Sequence, residues 1–149
     1  MTLSTLFDPI FRAYAGRVPV AYLRALSKKE SNQNPASADG AAWGLLQVVP
    51  SVREGYNARY GASYAPRDLL DPAINTRIAA DLLNRIVVAF GKHPSANMKE
   101  NWGNPEFVRL VTAGWNSGYS EAAGVGHVAS YLEARGLPVK TAKVPFQAV

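Results

Sequence analysis

Apolar residues recur at helical spacing along most of the chain, and no segment sustains the alternation of apolar and polar residues that is typical of a strand. The clearest pattern is DPAINTRIAADLLNRIVVAFG, which carries an apolar residue at every fourth position: Ile74, Ile78, Leu82, Ile86 and Phe90. The segment begins with Asp71-Pro72 and stops at Gly91, a typical start and stop of a helix. It therefore predicts a long central buried helix.

Other helices are predicted by the same criteria. FDPIFRAYAG has Asp8 as a candidate N-cap, Pro9 in the first turn and a stop at Gly16. Three more helices are predicted: one over about Val18 to Glu30, one opening at Asn104-Pro105, and one over about Ser120 to Arg135. These elements predict an all-α orthogonal helical bundle. A small irregular or β-like patch is the most that residues 34–47 would add.

The length of 149 residues favours a single domain, residues 1–149, with an N-terminal helix in residues 1–16 and a C-terminal arm at 140–149. The chain has no cysteine, which excludes disulfides and thiolate chemistry. His93 and His127 alone make no metal-ligand cluster, so no metal site is expected. The net charge of +5 is scattered and indicates diffuse attraction to polyanions such as nucleic acid, anionic membranes or bacterial cell wall.

The first residues, MTLSTLFDPIFRAYAGR, lack the basic start and the unbroken apolar run of a secretory signal. No later segment approaches the length of a transmembrane span, so no stable membrane insertion is expected. These observations do not choose among the possible polyanionic partners.

Glu30 has an unusual place on the second predicted helix. At about 100° per residue it falls within the apolar stripe of that helix, formed by Pro19, Tyr22, Leu23 and Leu26. Lost hydration there would raise the pKa of the carboxyl group and let it act as a general acid near neutral pH. The alternative is a carboxylate at a helix end with its stem packed and its head in water.

The segment around Glu30 resembles the signature of the soluble lytic transglycosylase family, within the lysozyme-like superfamily that also holds goose-type lysozymes. The residues that carry the resemblance are Glu30-Ser31, Asn34-Pro35, Ser37, Gly40-Ala41, Gly44-Leu45-Leu46-Gln47 and Pro50. Two later blocks agree in order: DPAIN within the long helix, and TAGWNSG after it. The resemblance spans roughly Ile10 to Gly118 and implies a lysozyme-like fold.

The resemblance also implies an activity. The substrate would be the peptidoglycan glycan strand, cut between N-acetylmuramic acid and N-acetylglucosamine. Glu30 would serve as both acid and base, and the product would carry a 1,6-anhydro end, with no cofactor and no metal. The expected partner is thus the glycan strand rather than nucleic acid, and a monomer is expected.

Several further residues are predicted to bind the substrate: Ser37, Gly44, Gln47, Trp115, Asn116 and Tyr119. Gly44 would let the backbone approach the glycan closely, and the Gln47 amide would bind a sugar substituent. Trp115 stands where the family has tyrosine, and the spacing before Ser37 is shorter than usual. These departures put the roles carried over for both residues in question.

Alternatives remain at this point. If Asp39 faces Glu30 and activates water, the enzyme would be a hydrolytic muramidase of the goose-type-lysozyme kind. A cell-wall-binding module without turnover is a second alternative, and a small basic DNA-binding domain is a third, although its basic residues follow no single helix face. The helical spacing of Tyr56 and Tyr60 favours ordinary packing, and a place along the sugar cleft is the other interpretation.

A wall-cutting enzyme without a signal peptide must reach its substrate by another route. The site of action would be the periplasm or the cell exterior. We therefore expect a phage-encoded or virion-borne enzyme, or a protein delivered by a dedicated secretion route.

Overall fold

The computed structural model describes residues 3–38, 40–92 and 99–117. Over these ranges it contains five α-helices, one short 3₁₀ helix and no strand, which confirms the predicted all-α class. The helices are α1 (Asp8–Tyr14), α2 (Val20–Ser31), α3 (Pro50–Tyr60), α4 (Pro72–Lys92) and α5 (Pro105–Ser117), and the 3₁₀ helix covers Pro66–Leu70. The helix predicted near Ser120 to Arg135 and the arm at 140–149 lie outside the described residues.

Contacts along the chain define two compact units, Met1–Asn84 and Arg85–Val149, with the division inside α4. The predicted organisation as one domain stays a prediction. In the described residues, no helix is both long and apolar enough to pass through a membrane.

In the first unit, α1 begins one residue earlier than the sequence predicted. Phe7, not Asp8, occupies the N-cap position, and Asp8 is the first helical residue. The predicted cap is wrong because the Asp8 carboxylate accepts two hydrogen bonds from Arg24 of α2, at 3.0 Å from Nε and 2.6 Å from Nη2. Phe11 on the inner side of α1 is fully buried. This ion pair therefore joins α1 to α2.

The long helix α4 has the predicted position and a buried face. Ile78, Leu83 and Ile86 are almost completely buried, with Ala79, Ala80 and Val87 beside them. Ile74 and Leu82 of the predicted stripe are only partly buried. The buried positions follow the three- and four-residue spacing of a helix face, which drifts away from a strict four-residue repeat.

The sequence did not predict α3 or the 3₁₀ helix. No residue of α3 is fully buried, so the helix lacks the apolar stripe by which the others were recognised. Polar contacts hold it instead: Arg53 Nη1 and Asn57 Nδ2 both donate to the carbonyl oxygen of Tyr64, at 2.8 and 3.0 Å. Tyr56 lies 4.7 Å from Tyr60 and 6.0 Å from Tyr64 between ring centroids.

In the second unit, α5 starts at the predicted Asn104-Pro105. The Asn104 side chain accepts a hydrogen bond from the Glu106 backbone N–H at 3.0 Å, as an N-cap does. Phe107, Leu110 and Val111 are buried, and Trp102 packs its ring edge against Phe107 at 5.1 Å. These three residues form the buried side of α5.

Candidate active site

Glu30 lies in the last turn of α2 and is partly buried. Three buried residues of the same helix, Leu23, Leu26 and Ser27, precede it by seven, four and three positions. This spacing places Glu30 on the same side of α2 as the buried residues. Glu30 therefore lies on the buried side of α2, at the C-terminal end of the helix.

The turn after Glu30 has an uncommon backbone. Asn32 and Gln33 both have positive φ values, 56° and 59°. Their N–H groups donate to the carbonyl oxygens of Lys28 and Ser27, which satisfies two of the last helical carbonyls. The Gln33 side chain also forms two hydrogen bonds with the backbone of Ser4, each 2.9 Å long. The end of α2 is thus fixed from two sides.

Ser31 connects the end of α2 to the Gly-Leu-Leu-Gln segment. Its hydroxyl donates to the Leu45 carbonyl oxygen at 2.7 Å and accepts the Asn34 N–H at 3.1 Å. A two-bond antiparallel bridge between Trp43 and Val48, with N···O distances of 3.1 and 3.0 Å, closes that segment into a tight turn. The bridge is the only β-like feature of the described residues and ends one residue beyond the predicted patch.

Gln47 has the left-handed backbone conformation, with φ of 51°, and its side chain folds back over the turn. Its Nε2 donates to the carbonyl oxygens of Gly44 at 2.9 Å and Ser37 at 3.4 Å. Within the described part of the chain, neither the Gln47 Oε1 atom nor the Ser37 hydroxyl has a hydrogen-bond partner. Both groups remain available to an external ligand.

Asn75 of α4 holds the turn from behind. Its side chain is fully buried and makes three hydrogen bonds: Nδ2 donates to Trp43 O at 2.9 Å and to Leu69 O at 3.0 Å, and Oδ1 accepts the Leu46 N–H at 2.8 Å. Leu45, Leu46 and Val48 are buried beside it. The hydrogen bonds of Asn75 and the packing of these apolar side chains fix the position of the turn.

Gly44 is required by this packing. Its φ is +83°, and a Cβ atom at this position would lie 2.1 Å from Leu69 O and 2.2 Å from the Asn75 Nδ2 atom. The residue is buried, so the protein itself makes the close approach that was predicted for a glycan. Gly40, by contrast, has open space around the position of a Cβ atom.

The structure brings part of the predicted site together. Glu30, Ser37, Gly44 and Gln47 all belong to the first unit, where the Ser31, Ser37 and Gln47 hydrogen bonds join the end of α2 to the turn. Trp115, partly buried, and Asn116, exposed, lie at the end of α5 in the second unit. Asp39 and Tyr119 lie outside the described residues.

No individual role was predicted from the sequence for Ser31 or Asn75. Asn75 was recognised only as part of the Asp-Pro-x-x-Asn block, and its spacing after Asp71-Pro72 was the available signal. Among the described residues, no cluster of three or more Asp, Glu or His side chains has the geometry of a metal site.

Comparisons with known proteins identify the family and the fold. The model of the transglycosylase SLT domain family matches residues 9–132. Among solved structures, the chain is similar to the 70-kDa soluble lytic transglycosylase in its complex with bulgecin A, with a TM-score of 0.64 and 21% identity. That likeness covers 96% of this chain but 23% of the other, and confirms the predicted lysozyme-like fold class. No curated protein sequence matches the chain.

The family match includes all three sequence blocks on which the resemblance rests: the segment after Glu30, the start of α4 and the end of α5. It extends the resemblance, which reached from about Ile10 to Gly118, by 14 residues in the C-terminal direction (132 − 118) and by one in the N-terminal direction. The chain therefore belongs to the transglycosylase SLT domain family.

Proposed function

We propose that this chain is a peptidoglycan-cleaving enzyme, a lytic transglycosylase that cuts the β-1,4 bond between N-acetylmuramic acid and N-acetylglucosamine. Family membership and the fold shared with a protein named as a lytic transglycosylase support the proposal. The observation that carries it is the position of Glu30, partly buried on the inner side of α2 beside the tightly held turn at 43–48.

The proposed reaction uses Glu30 twice. The protonated carboxyl gives its proton to the glycosidic oxygen as the bond from C1 to that oxygen breaks, with assistance from the 2-acetamido group of the muramoyl sugar. The carboxylate then takes the proton of the C6 hydroxyl as that oxygen bonds to C1, which gives the 1,6-anhydro product. The proton is returned to Glu30, and neither water nor a cofactor is consumed.

The first step needs a protonated Glu30, and its surroundings act in both directions. Partial burial and the negative end of the α2 dipole disfavour the charged carboxylate. Lys28 and Lys29 in the same turn of the helix favour it.

Two groups on the turn are suited to hold the sugar. The Gln47 Oε1 atom can accept a hydrogen bond from an acetamido N–H, because the amide nitrogen is already used within the turn. The Ser37 hydroxyl can donate to or accept from a sugar oxygen. Trp115, Asn116 and Tyr119 remain proposed substrate contacts, and the buried Gly44 would act by allowing the packing of the turn that carries Gln47.

The first test replaces Glu30, the proposed acid. Glu30→Gln keeps the shape of the side chain but cannot give up a proton, so release of soluble fragments from purified sacculi should fall by about 10²- to 10⁴-fold. Glu54→Gln is the matched control, because that carboxylate lies on α3 with its side chain 67% exposed. Equal solubilisation by the wild type and Glu30→Gln would remove Glu30 from the mechanism.

Mass spectrometry of the same digests tests the product. Anhydro-muropeptides are expected if the enzyme is a transglycosylase, and reducing ends if it is a muramidase that activates water with Asp39. Asp39→Asn should leave the rate and the product unchanged. A loss of activity in Asp39→Asn together with reducing ends would establish the hydrolase instead.

The proposed substrate places the site of action at the bacterial cell wall, in the periplasm or outside the cell. A phage-encoded or virion-borne enzyme, or one exported by a dedicated secretion route, remains the proposed origin. A monomer would suffice for this mechanism, since Glu30 is the one acid/base that the reaction uses.

A further inference from the structure

A groove of about 380 Å³ lies in the first unit among α1, α3 and α4. Tyr14 of α1 and Tyr56 and Tyr60 of α3 line it, together with Arg77, Asp81 and Asn84 of α4. Apart from Tyr56 and Tyr60, for which a place along the sugar cleft was one of two interpretations, none of the residues predicted to bind substrate or to act in catalysis belongs to its lining. The groove is therefore unexplained by the proposed reaction.

The groove lies on a different side of α4 from the candidate active site. Asn75 faces the turn at 43–48, to which it is hydrogen-bonded. At about 100° per residue, Arg77, Asp81 and Asn84 lie about 180° to 240° around the helix from Asn75. A ligand in the groove would thus contact a separate surface of the first unit.

The aromatic rings of the groove are accessible and fixed in position. Tyr60 is 55% exposed, an unusual fraction for a large apolar side chain, and its ring lies 4.7 Å from that of Tyr56. Its hydroxyl donates to Asp81 Oδ1 at 2.5 Å, which holds the ring in one orientation. The Arg59 guanidinium lies 5.8 Å from the centroid of the Tyr60 ring. The exposed part of this ordered ring, beside a few polar groups, is suited to contact the C–H groups of a sugar ring.

The groove also carries more positive than negative charge. Asp81 is paired with Arg59, whose Nη2 lies 3.0 Å from Oδ2. Arg77 donates only to the hydroxyls of Tyr64 and Tyr14, over long distances of 3.3 and 3.4 Å, and its guanidinium lies 5.0 Å from the centroid of the Tyr14 ring. Within the described residues no carboxylate pairs with Arg77.

Arg77 is therefore a cation whose hydrogen-bond acceptors are two uncharged hydroxyl groups at long distances. Its other N–H groups can donate to a ligand. A guanidinium has five N–H donors and binds a carboxylate in a two-bond geometry that is stronger than bonds to neutral hydroxyls. Arg59 neutralises Asp81, so the nearby acid does not cancel the attraction of Arg77 for an anion. The exposed Tyr60 side chain and a guanidinium without a carboxylate partner together indicate one kind of ligand.

We propose that this groove is a second saccharide-binding site, which takes an aminosugar segment bearing a carboxylate and holds it on Tyr56, Tyr60 and Arg77. The choice of ligand rests on the proposed function, since peptidoglycan supplies such groups in two ways. The carboxylate belongs either to the lactyl group of a peptide-free muramoyl sugar or to a stem peptide. The groove would hold the strand away from the bond that is cut.

The test measures binding without cleavage, by NMR titration of the Glu30→Gln protein. The probes are a peptide-free tetrasaccharide of alternating N-acetylglucosamine and N-acetylmuramic acid, the same tetrasaccharide with stem peptides, and neutral chitotetraose. Signals of the Tyr60 ring and the Arg77 Nε–H should shift with an acidic probe. Arg77→Gln should weaken that binding about tenfold, the loss expected for one charge-assisted hydrogen bond.

Two matched controls separate charge from packing. Arg67→Gln removes an exposed arginine of the 3₁₀ helix and should leave the affinity unchanged. Tyr60→Phe keeps the ring but loses the hydrogen bond to Asp81, so its affinity should lie between those of the wild type and Tyr60→Ala. Both Tyr60 variants should weaken binding of acidic and neutral probes alike. The affinity for chitotetraose should be the same in both arginine variants.

The probes also identify the source of the carboxylate. Binding of the peptide-free tetrasaccharide supports the lactyl group, and binding only of the peptide-bearing form supports the stem. No shift at Tyr60 and Arg77 with either acidic probe, or equal binding by Arg77→Gln and Arg67→Gln, would overturn the proposal. Because no turnover is measured, this failure is distinct from persistent cleavage by Glu30→Gln, which would overturn only the proposed function.

Discussion

Gly40 and Gly44 lie four positions apart and share a positive φ, but their surroundings differ. Both have positive φ values, +79° and +83°, which favour glycine over any residue with a side chain. Only Gly44 is also enclosed, by the Leu69 carbonyl and the Asn75 side chain. The backbone conformation costs a substituted residue about the same at each site, so the difference between the two sites measures the packing alone.

Gly44→Ala should therefore destabilise the protein more than Gly40→Ala. The backbone strain common to both should cost about 1–2 kcal/mol. At Gly44, displacement of Leu69 and Asn75 should bring the total to about 3–5 kcal/mol, because it breaks buried hydrogen bonds. Urea unfolding of both variants provides the measurement, and equal losses would contradict the role assigned to the enclosure.

Single residues were predictable where a pattern marked them. Glu30 stood out because a carboxylate occupied an apolar stripe and a family motif followed it. The predicted N-cap role of Asp8 was wrong. A helix-start pattern cannot reveal that Arg24, sixteen residues later, donates two hydrogen bonds to the Asp8 carboxylate. The triple contact of Asn75 was equally invisible, since two of its partners lie 29 and 32 residues earlier.

The pairing of α1 with α2 through Asp8 and Arg24 matters at the scale of elements. The side chains are 12% and 26% exposed, so the two hydrogen bonds are partly shielded from water. The hydrogen bonds from Arg24 hold the pKa of Asp8 below its usual value, and those to Asp8 raise the pKa of Arg24. The contact therefore stabilises the folded chain only while Asp8 is ionised.

The stability that this pair supplies should depend on pH in one direction. The pKa of Asp8 is lower in the folded state than the value of about 3.9 in an unfolded chain. The contribution is thus present above about pH 4 and is lost as the pH falls through the folded-state pKa. The difference in Tm between the wild type and Asp8→Asn should be largest near neutral pH and should disappear in strong acid.

Thermal unfolding followed by circular dichroism across this pH range is the measurement. Glu54→Gln serves as the control for the removal of an exposed carboxylate, because the Glu54 side chain is 67% exposed. A Tm difference for Asp8→Asn that stays constant at all pH values would contradict the assigned ion pair.

Elements were predictable in proportion to the apolar surface that they bury. α2, α4 and α5 each carry a buried face, and the sequence predicted each of them within a few residues. α3 buries no residue completely and is held by Arg53 and Asn57, so its sequence resembles a loop. Long-range polar contacts leave no periodic signal along the chain.

At the scale of the whole molecule, the net charge of +5 and the scattered basic residues bear on the approach to an anionic wall. Such attraction is diffuse and is screened by salt. Binding to sacculi should therefore weaken as NaCl rises from about 50 mM to about 500 mM, while cleavage of a short neutral fragment should change little. Pull-down with sacculi of the Glu30→Gln protein measures the first effect, and salt-independent binding would contradict this reasoning.

Three blocks in order, rather than any one of them, made the family predictable from the sequence. The family match over residues 9–132 confirms that prediction. Trp115 and Asn116 belong to the second unit and Glu30 to the first, and their joint action on one substrate stays a prediction. The order of the motifs can be read from the sequence, whereas a shared site formed by residues of two units cannot.

The pairing of Gln33 with Ser4 has a consequence for measurements on the protein in solution. Ser4 precedes every helix, yet its backbone N–H donates to Gln33 Oε1 at 2.9 Å. Its deuterium uptake should consequently be slower than that of a free terminus, and Gln33→Ala should accelerate it. That single amide would then report whether the contact between Ser4 and the turn that follows Glu30 is formed in solution.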